Sequence, residues 1–123
     1  MDFYEELDRY NGRHADAPVE RRPSGAGQLV LGLGGELDMR ASSDLSPLLE
    51  SALHLCSSHG SLILDLRSVG YITSTGVGLL ASTLVAAERL SIHFVLRNIP
   101  ARVWTIMTTL GLSAFFSVDE TLD

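Results

Sequence analysis

The chain has 123 residues, 46% of them hydrophobic and 20% charged, which fits one folded domain with a single core and excludes a disordered chain. A formal net charge of −6 excludes a nucleic-acid surface, which would need a basic patch. The lone Cys56 cannot form an internal disulfide, no apolar run approaches the roughly 20 residues that cross a bilayer, and the acidic start lacks an apolar leader, so a cytoplasmic domain without membrane insertion is expected.

Residues 1–16 read as an N-terminal extension. If Asp2 to Tyr10 is helical, Phe3, Tyr4, Leu7 and Tyr10 fall near one face and Glu5, Glu6 and Arg9 lie opposite, with Asn11-Gly12 ending the helix. A frayed tail is the alternative. The domain proper is assigned to residues 17–123.

Ala17 to Arg22 is predicted as an edge strand, Pro23 to Gly27 as a turn and Gln28 to Leu33 as the second strand of a hairpin. Gly34 to Asp38 closes that unit. The glycines of Gly32-Leu33-Gly34-Gly35 lack the G-x-G-x-x-G spacing of a dinucleotide site, so no such cofactor is expected. A first long helix follows over 43–57, with Leu45, Leu48, Leu49, Ala52, Leu53 and Cys56 on its core stripe. Pro47 prefers a first turn, so an irregular helix start, capped nearer Ser46, is expected there.

Leu62 to Leu66 is a short apolar run broken by Asp65, the pattern of a strand covered on both faces. After a loop through Ser68 and Gly70, Thr73-Ser74-Thr75 stands where a second long helix begins, running to about Arg89. These hydroxyls can accept the free backbone N–H groups of a first turn, and Ser74 is the ordinary candidate for the cap. Gly76 and Gly78 would leave the turn open to approach from outside. Ser91 to Leu96 is the next strand. A third helix is expected with Asn98 as its cap, Pro100 in its first turn and Gly111 just past its end. Val103, Ile106, Met107 and Leu110 would face inward and Trp104 would be partly covered. Ala114 to Val118 is the last strand.

The order β-β-α-β-α-β-α-β implies a single α/β domain with a mixed, mostly parallel sheet of about five strands. In such sheets the functional crevice lies at the carboxyl ends of the strands, where Asp38, Asp65 to Ser68 and Thr73 to Gly76 should gather. Enzyme chemistry is not expected. None of His14, His54, His59 and His93 falls beside Ser74, no G-x-S-x-G elbow occurs, and no metal-ligand spacing is present. Asp38 and Asp65 could form a carboxylate pair, but each more simply caps a turn. A helix start with exposed hydroxyls and little steric bulk can instead receive or carry a phosphoryl group.

Gly35-Glu36-Leu37-Asp38, Leu64-Asp65-Leu66, Ile72-Thr73-Ser74-Thr75-Gly76-Val77-Gly78-Leu79 and Gly111-Leu112 before Phe115 to Val118 together resemble the STAS domain of anti-sigma factor antagonists. The resemblance covers about residues 17–120. It implies a non-catalytic regulator of transcription that binds a GHKL-type anti-sigma factor, itself a serine kinase, and so frees the sigma factor. Phosphorylation would end that binding and a PPM-type phosphatase would restore it. The matching acceptor is Ser74, with Thr75 as the second candidate, and Asp38, Thr73, Ser74, Thr75, Gly76 and Gly78 are the implied partner-binding residues. Thr73 stands where the family usually has aspartate. Family members commonly continue past the equivalent of Asp123 into a last helix, and the extension is expected to cover the surface thus left bare. Similar domains also serve as accessory subunits of lipid-transport ABC ATPases or as stressosome scaffolds, which is the alternative. A small nucleotide-binding or hydrolytic protein is a third class. The resemblance names no metal and leaves a homodimer open.

Overall fold

The computed structural model describes residues 2–56 and 58–121. Ser57, the expected last residue of the first long helix, lies outside them, as do the outer limits at residues 1 and 123. The elements run α1 (Phe3–Arg13), β1 (Glu20–Arg22), β2 (Gln28–Leu37), α2 (Met39–Leu55), β3 (Ser61–Ile72), α3 (Ser74–Arg89), β4 (His93–Arg97), α4 (Ala101–Thr109) and β5 (Ser117–Asp119), with a 3₁₀ turn at Ser113–Phe115 before β5. The sheet has the order β1-β2-β3-β4-β5; β1 is antiparallel to β2 and every other pair is parallel. The expected α/β class and mixed, mostly parallel sheet are therefore present.

Alternation along the strands sorts the two faces of the sheet. Leu29, Leu31, Leu33, Leu62, Leu64, Leu66, Phe94 and Leu96 are buried in one cluster with apolar residues of all four helices. The residues between them, Val30, Ile63 and Val95, form a small separate cluster on the opposite face. Asp65 lies on that opposite face too. It accepts hydrogen bonds from the Arg22 guanidinium, the Arg67 backbone N–H at 3.0 Å and the Asn98 amide at 3.2 Å. Burial of this carboxylate is thus compensated by three donors.

The long elements differ from their expected limits for identifiable reasons. β2 and β3 stay paired beyond Leu33 and Leu66 because two register shifts absorb extra residues in β3, between Gly32/Gly34 and between Gly35/Glu36. Gly35 has φ +71, which favours glycine at such a kink. The stretch expected as a loop through Ser68 and Gly70 is consequently strand, and β3 ends at Ile72. α2 starts at Met39 rather than Ser43, because the Asp38 side chain accepts from Ala41 N–H at 2.9 Å and nucleates the turn earlier. Pro47 sits inside this helix, which continues through it. Asn98 does not cap α4; Pro100 occupies that position, while Asn98 adopts φ +56 and bonds Asp65 and Thr121 instead. Val103 and Met107 are buried and Ile106, half-buried, packs against the core as expected, whereas Leu110, just past the end of α4, is exposed. Trp104, expected to be partly covered, is exposed, at 38%.

The extension is a helix, and it runs through Asn11-Gly12 to Arg13. A capping box at Asp2 and Glu5 starts it. Phe3 and Tyr10 are buried at 3% each, and α1 packs on α2. Its polar ties reach Val19, just before β1, and Asp44 on α2, at the opposite edge of the sheet from β5. The His14 ring nitrogen lies 2.8 Å from the Asp44 carboxylate and the Arg13 guanidinium 3.1 Å from it. The hydrogen bond from His14, aided by Arg13, holds the Asp44 carboxyl below its ordinary value of 3.8. Burial, with the Asp44 and Asp38 charges, pushes the Tyr10 phenol up.

Burying an aromatic side chain of this kind is worth about 2 kcal/mol. Deleting residues 2–16 should therefore lower the melting midpoint by roughly 10 °C; an unchanged midpoint in calorimetry would show that α1 contributes nothing. Because the Asp44 carboxyl is depressed in the folded state, its contribution is present above pH 4 and lost as pH falls further. Asp44→Asn should flatten stability against pH in that acid range, read by urea unfolding from pH 2 to 6.

Candidate functional site

The site is built where β2 and β3 end side by side and α2 and α3 begin. Leu37 and Ile72 are register partners at the last step of the β2–β3 ladder. The residues that follow them, Asp38 and Thr73, are the N-caps of α2 and α3. Two parallel strands feeding two helices must place both helix starts at the same end of the sheet. The expected gathering of Asp38 with Thr73 to Gly76 is therefore observed. Asp65 does not join them. It sits mid-strand on the other face, so Asp38 and Asp65 form no carboxylate pair.

Thr73, not Ser74, is the cap of α3. Its hydroxyl accepts from Gly76 N–H at 3.3 Å and donates to the Leu37 carbonyl at 3.2 Å, and its backbone N–H donates to the same carbonyl at 3.1 Å. Ser74 is the first helical residue, and its side chain is exposed with no hydrogen-bond partner among the described residues. Thr75 is exposed as well. Neighbouring hydroxyls thus have different tasks: the half-buried one ties α3 to the sheet and the next one faces outward.

The two glycines also divide. Gly76 is buried, and a Cβ there would collide with the Leu37 carbonyl oxygen and stand 2.6 Å from Ile72 Cγ1. Its lack of a side chain serves close packing of helix on strand, not access from outside as expected. Gly78 is exposed, and a Cβ there would meet nothing within 4 Å, so this side of the helix start is clear. Asp38 is half-buried and committed to capping α2.

Two exposed side chains that the sequence pattern did not single out border these groups. Met39, the first residue of α2, is 70% exposed, and Tyr71, two residues before Thr73, is 47% exposed. Arg102 at the start of α4 donates to the Gly70 carbonyl at 3.2 Å, bringing a third helix start to the same end. A large apolar residue directly after a capping aspartate was the available signal for Met39. The histidines lie elsewhere: His14 is held by Asp44, His54 is near the end of α2, His59 follows that helix, and His93 opens β4. Among the described residues no group of three His, Cys, Asp or Glu is placed to hold a metal ion. No helix of the described residues is long and apolar enough to cross a membrane.

A mostly parallel sheet with helix starts and a free hydroxyl gathered at the strand ends defines an α/β surface site. Residues 17–123 match the family model of the STAS domain, and the chain belongs to that family. No curated protein matches it in sequence. Among solved structures it is similar to the anti-sigma factor antagonist SpoIIAA in its unphosphorylated form, with TM-score 0.69, 19% identity, and coverage of 85% of this chain and 89% of that one. It is similar also to an anti-sigma factor antagonist from Mycobacterium paratuberculosis, with TM-score 0.65, 24% identity and coverage of 87% and 86%. A sulfate transporter family protein from Wolinella succinogenes shares the fold at TM-score 0.65, with 17% identity and 80% of each chain covered.

Removing the Thr73 cap should cost about 1 kcal/mol. Thr73→Ala and Gly76→Ala should both lower the urea midpoint, Gly76→Ala more, because its methyl must displace the Leu37 backbone. A Gly76→Ala protein as stable as the parent would show that α3 can rise off the strand at no cost.

Proposed function

We propose that this STAS domain is an anti-sigma factor antagonist that works by partner switching. In its unmodified form it binds a cytoplasmic GHKL-type anti-sigma factor that is also a serine kinase, and so frees the sigma factor. Phosphorylation of Ser74 ends the binding, and a PPM-type phosphatase reverses it. The domain itself catalyses nothing in this scheme. Thr75 is the secondary acceptor, and Asp38, Thr73 and Gly78 flank the contact; Gly76 acts by holding α3 in place.

The observation that carries the reading is the exposed, unbonded Ser74 hydroxyl at the first position of α3, beside a Thr73 that already supplies the cap. Modification of Ser74 therefore leaves the fold-holding hydrogen bonds intact. A phosphate there adds about −1.5 to −2 charge at pH 7. The positive end of the helix tolerates that charge, whereas a docked partner must desolvate it. A loss of ~3 kcal/mol at such a contact is a little over a hundredfold in affinity, enough for a switch. The likeness to antagonist structures supports the fold on which this depends, and the family resemblance of the Ile72 to Leu79 stretch supports the choice of serine.

Ser74→Ala should stay bound to the kinase in the presence of ATP and Ser74→Asp should be released, as read by titration of the purified proteins. Equal affinities would refute the switch. Mass spectrometry of the Tyr71 to Arg89 peptide after incubation with kinase and ATP should find the phosphate on Ser74. Capture of an ABC ATPase or a scaffold assembly in place of a kinase would favour the accessory-subunit alternative.

A further inference from the structure

The two edges of the sheet carry different chemistry. At one, β1 is the charged run Glu20-Arg21-Arg22, and the Asn11 side-chain amide already bonds both backbone groups of Val19 just before it, at 3.0 and 2.8 Å. Charge and occupied backbone groups keep an edge strand from pairing further. β5 is the last strand at the other edge among the described residues, and Ser117, Val118 and Asp119 are all exposed. The Asn98 N–H donates to the Asp119 carbonyl at 3.0 Å, so the backbone groups of Asp119 face β4. Backbone groups alternate sides along a strand, and those of Val118 therefore face outward. Val118 aligns with Leu96 in the β4–β5 ladder, so its side chain stands on the helix-covered face. There, 49% exposed, it lines an open groove of ≈ 470 Å³ with Ile99, Ala101, Trp104 and the two residues that follow it. The Asp119 side chain points to the opposite face, where the Arg97 guanidinium holds its carboxylate through two bonds, at 2.9 and 3.0 Å.

We infer that β5 is a dimer edge, and that its occupant is β5 of a second copy of this chain, antiparallel about a two-fold axis at Val118. Each Val118 N–H then donates to the other copy's Val118 carbonyl, the double exchange of a hydrogen-bonded antiparallel pair. The same register sets Ser117 opposite Asp119 of the second copy. No two charges of like sign meet across the axis, because Asp119 arrives neutralised by Arg97 and faces a hydroxyl donor. On the helix-covered face the two Val118 side chains touch and the two grooves merge, with a Trp104 at either flank. A three-residue strand whose middle residue alone faces outward is complementary to itself under a two-fold, the commonest symmetry of paired chains. The two five-stranded sheets join into one. The patch is small, so the dimer is weak and depends on concentration.

The test uses the full chain, followed by sedimentation velocity and by the fluorescence of Trp104, the only tryptophan in the sequence. Over about a hundredfold rise in concentration through the micromolar range, the parent should pass from monomer toward dimer and its Trp104 emission should move to shorter wavelength. Val118→Lys sets two cations against each other and should stay monomeric throughout, as should Val118→Asp with its two anions. Mixed in equal amounts, these two variants should recover the dimer, since a cation then faces an anion across the axis; mixing does not repair a folding fault. Val118→Pro removes only the outward N–H, because Ser117 and Asp119 carry the ladder to β4, and should weaken the dimer about tenfold or more. A parent that stays monomeric at every concentration would overturn the inference and leave the edge to a strand of another protein. A dimer that persists in Val118→Lys alone and in Val118→Asp alone would overturn it by placing the contact elsewhere, and so would a mixture that fails to pair. The inference stands apart from the partner-switching reading, since none of these variants touches Ser74 or the start of α3.

Discussion

The Leu37 carbonyl is the point on which the site depends. It accepts the Thr73 backbone N–H and the Thr73 hydroxyl, and the bare backbone of Gly76 packs against it. One oxygen at the end of β2 therefore holds the end of β3 and the start of α3. Leu37 is followed at once by Asp38, which starts α2, so both helix starts are referred to the same atom. Each hydrogen bond is worth only about 1 kcal/mol net. Their value is geometric, since together they leave α3 a single height and angle above the sheet.

That clamp leaves the bonds that hold the fold separate from the exposed Ser74 hydroxyl. If the exposed hydroxyl were also the cap, modifying it would unmake the helix start. Here Thr73 carries the structure and Ser74 is spare. Asp38 is likewise tied into its own helix, which keeps its carboxylate at a set place beside the hydroxyls. The site is an open surface at the ends of β2 and β3. Its features are helix starts, a clear flank at Gly78, and the exposed Met39 and Tyr71.

The two edges of the sheet are treated differently. At the β1 edge, α1 is bound through Phe3, Tyr10 and a cluster of polar ties to Val19 and Asp44. At the other edge, the three residues of β5 are exposed, with Val118 and Phe115 among the large apolar side chains in contact with solvent. At the first edge α1 ends against the first turns of α2, where Arg13 and His14 bind Asp44.

The sequence by itself determined the class of fold and the region of the site. Alternating Leu62, Leu64 and Leu66, the helical spacing of Leu45, Leu48, Leu49, Ala52 and Leu53, and the order of strands and helices are local patterns. They reflect the periods of 2.0 and 3.6 residues that every strand and helix must obey. The Ile72 to Leu79 stretch similarly marks a helix start rich in hydroxyls. Only the tertiary structure decided which hydroxyl is free, because capping by Thr73 depends on the Leu37 carbonyl, 36 residues away. It also decided that β3 runs to Ile72, since the pairing survives two bulges that no single-strand pattern encodes. The placement of α1 on α2, the turning of Asp65 to the far face and the diversion of Asn98 to Asp65 and Thr121 belong to the same class. Each depends on partners distant in the chain, and a choice among several locally acceptable bonds is made only when packing brings one partner within reach.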